Sequence, residues 1–134
     1  MPRSPQEFYK KMAVDKGKTD NFHNKKLGKK GEKKALSYLK RTGWKILENN
    51  YKTPFGEIDI IANKGETIAF IEVKTRLSDN YGLPSEAVSN ERKLRYIRGA
   101  NYFFTNKIID CTVRFDIIEV FRGELNHIEN AFSQ

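Results

Sequence analysis

From Met1 to Lys26 no apolar residue recurs at a sustained period of 2 or of 3.6. Such a stretch buries too little apolar surface to order itself, so residues 1–26 are expected to form a flexible basic arm, with Phe8, Tyr9 and Met12 contributing at most one helical turn. The pattern changes at Leu27. Gly31, Ala35 and Leu39, flanked by Leu36 and Tyr38, keep helical spacing until Thr42-Gly43 supplies a stop. Trp44, Ile46 and Leu47 open a strand to about Tyr51, closed by the turn Pro54-Phe55-Gly56. Two β-forming runs follow, 57–63 and 68–75, joined by Lys64-Gly65-Glu66-Thr67 as an antiparallel hairpin. A loop over 76–83 leads through Pro84 into a helix reaching Thr105, weakened in its middle by Gly99. Residues 113–121, the turn Arg122-Gly123-Glu124 and residues 125–130 make a second hairpin.

Helix, three strands, long helix, two strands predicts a single α/β domain over 27–134, with a mixed central β-sheet flanked by helices. A barrel of strands alone would leave two helical patterns without a place. No window approaches the roughly 18–20 apolar residues of a membrane span, and no apolar stretch of a secretory signal opens the chain, so a cytoplasmic protein is expected. The only cysteine, Cys111, excludes an intrachain disulfide and a multi-thiolate zinc site, and reads as a reduced, partly buried filler.

Charge changes the picture because of where it lies. Residues 1–42 hold 13 Lys and Arg against 4 acids, whereas the remainder holds 12 against 13, so the net +8 is N-terminal. A concentrated basic segment on a nearly neutral body is the footprint of a protein that docks on phosphates, the alternative being a merely solvated arm.

The candidate chemistry sits on the first hairpin. Strand alternation puts Glu57, Asp59 and Ile61 on one face and Ile58, Ile60 and Ala62 on the other. If Asn63 pairs with Ile68, Asp59 stands opposite Glu72 and Glu57 opposite Lys74. Two opposed acids in apolar surroundings repel, and a cation must offset them. Lys74 is one; hard oxygen donors converging on one spot also suit Mg2+ or Mn2+. A plain ion-pair network is the alternative, and it leaves Glu72 facing Asp59 unexplained.

These residues also carry a resemblance. Gly56-Glu57-Ile58-Asp59-Ile60-Ile61-Ala62 with Phe70-Ile71-Glu72-Val73-Lys74-Thr75-Arg76 resembles the YraN family of predicted endonuclease-like proteins. That family is similar in turn to the PD-(D/E)xK nuclease superfamily and its archaeal Holliday-junction resolvases. The likeness runs from about Leu27 to Phe132 and takes in Gly28-Lys29-Lys30-Gly31-Glu32, Gly82-Leu83-Pro84, Glu86-Ala87-Val88 and Arg114-Phe115-Asp116. Ile58 stands where the superfamily has proline, a position that is not a ligand. The resemblance implies a restriction-endonuclease-like fold with an αβββαβ core. Asp59 and Glu72 would be metal ligands, the Val73 carbonyl would complete the shell, Lys74 would orient or activate water, and Glu32 would be the helical acid. Helical spacing agrees for Glu32, at the edge of the buried stripe, where a surface partner for neighbouring lysines is its other reading.

The expected activity is Mg2+- or Mn2+-dependent endonucleolytic cleavage of DNA, with branched or repair intermediates among the substrates. Lys25, Lys26, Lys29, Lys30, Arg76 and Lys93 are the expected phosphate contacts. A homodimer and association with DNA repair or recombination proteins stay open. So do two rivals with the same fold: a module that binds nucleic acid without cleaving it, and a subunit that offers only a surface to partners. His23 and His127 lack metal-ligand spacing and read as structural or surface residues, and Asp116 as an acid bonded to Arg114 or to a loop. There is neither a glycine-rich phosphate loop nor a serine-histidine-acid series.

Lys93 is singled out by spacing. Lys93, Ile97, Ala100 and Phe104 share one helical face, so Lys93 is expected on the sheet-facing stripe, approaching Asp59 and Glu72 or else snorkelling into water. Arg92, Arg95 and Arg98 are expected to point elsewhere, toward solvent or a DNA backbone.

Overall fold

The computed structural model describes residues 21–76 and 89–133, with backbone alone for 21–27. The helix α1 (Asn21–Arg41) is followed by β1 (Lys45–Thr53), β2 (Gly56–Lys64), β3 (Thr67–Thr75), α2 (Asn90–Phe104), β4 (Thr112–Phe121) and β5 (Glu124–Phe132). The strands form one sheet in the order β1-β2-β3-β4-β5. Only the β3–β4 pairing is parallel, and α2 lies in the crossover between those two strands. This is the expected mixed α/β sheet, and its order is consistent with a restriction-endonuclease-like fold.

α1 starts at Asn21, six residues before Leu27, since a helix once nucleated over the buried Ala35 and Leu39 propagates beyond the apolar stripe. The helix thus takes in residues 21–26 of the expected arm, and residues 1–20 lie outside the described residues. The stop at Thr42-Gly43 holds. Gly43 adopts φ 97°, and the Trp44 N–H returns to the Leu39 carbonyl at 2.8 Å, the left-handed cap that glycine adopts without steric cost. α2 begins at Asn90 and not at Pro84: the backbone of Ser89 is extended, and its hydroxyl accepts from the Arg92 N–H, which is an N-cap. Pro84 and residues 77–88 lie outside the described residues.

Each helix covers one face of the sheet. Ala35, Leu39, Trp44, Ile60, Ala62, Ile71 and Ile118 form the core under α1. Ile58, Ile61, Phe70, Tyr96, Phe103, Phe115 and Phe132 form the core under α2, with Cys111 partly buried at its margin. Each buried Ile, Leu or Phe contributes about 1.5–3 kcal/mol. β3 is covered on both faces, so Ile68 to Glu72 are buried without alternation. Gly99 weakens α2 less than it serves it. A Cβ there would collide with Ile58, so its absence lets the helix press onto β2.

The outer strands are irregular. β1 carries a register shift between Ile46 and Glu48 and a left-handed Asn50, and β5 shifts opposite Phe115 to Ile117 and carries a left-handed Asn130. Among the described residues no helix is long and apolar enough to cross a membrane.

Candidate functional site

The hairpin register is the predicted one as far as it extends. Asn63 pairs with Ile68, and the ladder continues to Ile60 opposite Ile71, where the paired register ends. Side chains take over from there. The Asp59 N–H donates to the Tyr96 hydroxyl at 3.3 Å, and that hydroxyl donates to the Ile71 carbonyl at 3.3 Å, so a phenol from α2 sits between the two strands. One residue on, the Val73 N–H donates to Asp59 Oδ2 at 2.8 Å. A carboxylate thus replaces the carbonyl that a continued ladder would have offered. The backbone groups stay satisfied while the strands part.

The parting corrects two expectations. Glu57 is exposed and faces Lys52 of β1, not Lys74, which pairs instead with Glu119 of β4. Ile58 joins Ile61 in the core under α2, whereas alternation had put it with Ile60. β2 turns about its axis where it leaves β3, and the two-residue period breaks there.

Glu72 is buried and is the focus of positive charge. Its Oε1 lies 3.0 Å from Arg92 Nη1, 3.6 Å from Arg95 Nη2 and 3.7 Å from Lys74 Nζ. Its Oε2 is buried with no hydrogen-bond partner. Burial raises the Glu72 carboxyl above its ordinary range, opposed by Arg92 and Arg95. Asp59 is pushed up to about 7, chiefly by burial and then by the charges of Glu72 and Glu32, against the Val73 N–H and Arg95. Glu32 reaches the site from α1: its Oε1 accepts from Asn49 Nδ2 at 2.6 Å, and the same amide donates to the Asp59 carbonyl at 3.1 Å.

Asp59, Glu72 and the carbonyl of Val73 are the hard oxygen donors that could hold a divalent ion here. Among the described residues no group of three or more His, Cys, Asp or Glu side chains is gathered closely enough to form a metal cage alone. The family's sequence model, "Uncharacterised protein family UPF0102", matches residues 31–120, which span Glu32, Asp59, Glu72 and the start of α2. The chain belongs to this family. UPF0102 relatives include proteins of Clostridium acetobutylicum, 47% identical over 81% of this chain and 95% of the relative, and Thermodesulfovibrio yellowstonii, 48% identical over 79% and 95%. A third, from Geobacter metallireducens, is 44% identical over 84% and 96%.

In this UPF0102 protein the helix supplies different cations from the expected one. No ion pair joins Lys93 to Asp59 or Glu72; Arg92 and Arg95 occupy that place. The buried face of α2 is Tyr96, Gly99, Ala100 and Phe103, which is turned by one residue from Ile97, Ala100 and Phe104. Counting apolar residues chose the neighbouring stripe, because glycine and an arginine stem do not score as core. Lys29 and Lys30 are exposed on α1, while Lys25 and Lys26 lie on its described backbone only. Arg76 is drawn inward by an ion pair with the buried Glu119.

Asn49, Arg92, Arg95 and Tyr96 are the site residues that sequence reasoning missed. For the last three the signal was present in the helical spacing 92, 95, 96, 99, 103 with Gly99 as its contact point; for Asn49 there was none. Elsewhere, Asp116 does bond Arg114, as expected, through two contacts of 2.9 Å. It also meets His127 Nε2 at 2.7 Å and the Asn130 N–H at 2.9 Å, and His127 Nδ1 contacts the Tyr38 hydroxyl at 2.8 Å. His127 is therefore a structural residue held inside a polar network.

Proposed function

We propose that this protein is a divalent-metal-dependent endonuclease of the PD-(D/E)xK type acting on DNA, with branched or repair intermediates as the substrates to try first. The observation that carries the reading is Glu72 Oε2, a buried carboxylate oxygen without a partner, beside the half-buried acid Asp59. A buried charged oxygen left unpaired costs free energy, and hard oxygen donors fit Mg2+ or Mn2+. Asp59 and Glu72 would hold the ion, with the Val73 carbonyl alongside. When bound, it supplies Lewis-acid polarisation of a phosphoryl oxygen and a more acidic water.

The chain's own groups do the rest. Lys74, close to Glu72, is placed to orient the attacking water and to offset charge that develops on the phosphate. Arg92, hydrogen-bonded to Glu72, and Arg95, ion-paired with it, can turn their guanidinium groups to a phosphate that approaches it. Glu32, held by Asn49, adds negative charge near Asp59 and so strengthens the site's demand for a cation. The N-terminal lysines supply affinity without sequence readout.

One observation favours a second reading. Glu72 Oε1 is already surrounded by three cations, an arrangement that would also serve a module that binds nucleic acid and cleaves nothing. The deciding experiment is a cleavage screen over duplex, single-stranded and branched DNA with Mg2+ and Mn2+, using Glu72→Ala as control, alongside calorimetric Mn2+ titration. Metal-dependent cleavage lost in Glu72→Ala is the expected result, with Mn2+ binding lost in both Asp59→Asn and Glu72→Gln. Metal binding without cleavage would leave the second reading, and unchanged Mn2+ affinity in both variants would remove the metal site.

A further inference from the structure

The turn between β1 and β2 and the middle of α2 face each other beside the carboxylates. Gly56 adopts φ 124° and leaves no room for a Cβ, because the Arg95 stem crosses directly over it while the Arg95 head reaches Glu72. One helical turn on, the Arg98 guanidinium sits 5.9 Å from the Phe55 ring centroid. Phe55, Arg98, Asn101, Tyr102 and Thr105 line an open cleft of about 360 Å3. Both rings are substantially exposed, Phe55 at 45% and Tyr102 at 43%. Tyr102 is braced from behind by Tyr51, at 6.2 Å between centroids.

Two exposed rings flanking an arginine and an amide, with no acid among the described residues of the lining, suit a ligand that is flat, has π faces and carries negative charge. A nucleotide of an unpaired strand meets all three requirements: the base stacks on the rings, the amide meets its edge and the guanidinium meets its phosphate. Position adds a further argument. Arg92, Arg95 and Arg98 recur every third residue, so positive charge runs along α2 from Glu72 to the cleft. Arg95 and Tyr102 are separated by about 10 Å of helix, a few nucleotides at most.

We propose that Phe55 and Tyr102 form a stacking slot for an unpaired base, with Arg98 on the adjoining phosphate. The substrate class is then DNA with a single-stranded segment next to the phosphate presented to Asp59 and Glu72. This rests on the reading of the protein as one that acts on DNA.

The test is fluorescence anisotropy with the full-length protein in EDTA, which separates binding from cleavage. Labelled blunt duplexes are compared with duplexes carrying a single-stranded tail. The wild type should prefer the tailed DNA by roughly fivefold or more, the effect of stacking one base. Phe55→Ala and Tyr102→Ala should each bring that preference down toward parity, and Phe55→Trp should keep it. Thermal melts of the variants check the fold. A preference that survives both alanine substitutions, or is absent from the wild type, overturns the slot and leaves the carboxylate site standing. No binding of either DNA at low salt overturns the slot together with the DNA reading.

Discussion

Asp116 and Asp59 are both strand acids at places where a ladder is interrupted, and both accept a backbone N–H from across the break. Their surroundings then diverge. Asp116 is fully buried, and Arg114, His127 and Asn130 supply donors to both of its oxygens. Burial alone would raise its carboxyl, yet these bonds outweigh it and hold the group below its ordinary value. Asp59 has one backbone donor and two acidic neighbours, and its carboxyl rises to about 7. The difference separates a matched acid from an unmatched one. An acid whose lone pairs are all matched braces the fold; one short of donors is, on the proposed reading, the place for a metal cation.

The sharpest way to break this comparison is to remove each acid in turn. Asp116→Ala strands the Arg114 guanidinium, His127 and the Asn130 N–H in a dry region, so urea denaturation should show a loss of about 3–5 kcal/mol. Asp59→Asn should act in the opposite direction. The folded-state pKa of Asp59 lies above the unfolded value of 3.8, so the stability linked to its proton is fully present below pH 3.8 and lost as pH rises through about 7. In a chelating buffer at pH 8 the variant should exceed the wild type by on the order of 1–3 kcal/mol, an amount that vanishes near pH 4. This stays below the full shift because the amide must also be accommodated. A loss of stability in Asp59→Asn at pH 8 would erase the distinction between the two acids. The smallest effect is expected at Lys93. Lys93→Met should change stability by no more than about 0.5 kcal/mol and leave Mn2+ affinity unaltered, as for a surface position. A raised Mn2+ affinity in that variant, as expected when a cation beside a metal site is removed, would return Lys93 to the site.

The first hairpin was legible because its turn is short: once Gly65 fixes the loop, Asn63 pairs with Ile68 and the register follows as far as Ile60 and Ile71. What could not be read was that the ladder stops at Ile60 and Ile71, three pairs short of Glu57 and Lys74. Ladder counting assumes backbone partners, and here the Tyr96 hydroxyl and the Asp59 carboxylate stand in for them. Helix α2 was legible as a helix and misread in its rotation. Ile97 and Phe104 look like core, whereas the tightest contact is at Gly99, whose value lies in having no side chain. The tie between Asp116 and His127 depends on an irregularity in β5 that no period announces. That helices flank the sheet followed from periodicity, since an amphipathic helix must bury its apolar face.

The irregular outer strands limit how this molecule can grow. An open sheet edge is a template on which another chain can add a strand, the route to fibrils and swapped oligomers. β1 presents Lys45, Glu48, Asn49, Asn50 and Lys52 to solvent, and its shifted register and left-handed Asn50 spoil the spacing of its free N–H and C=O groups. β5 is interrupted in the same manner at Asn130. Among the described residues neither margin offers a regular template for a sixth strand.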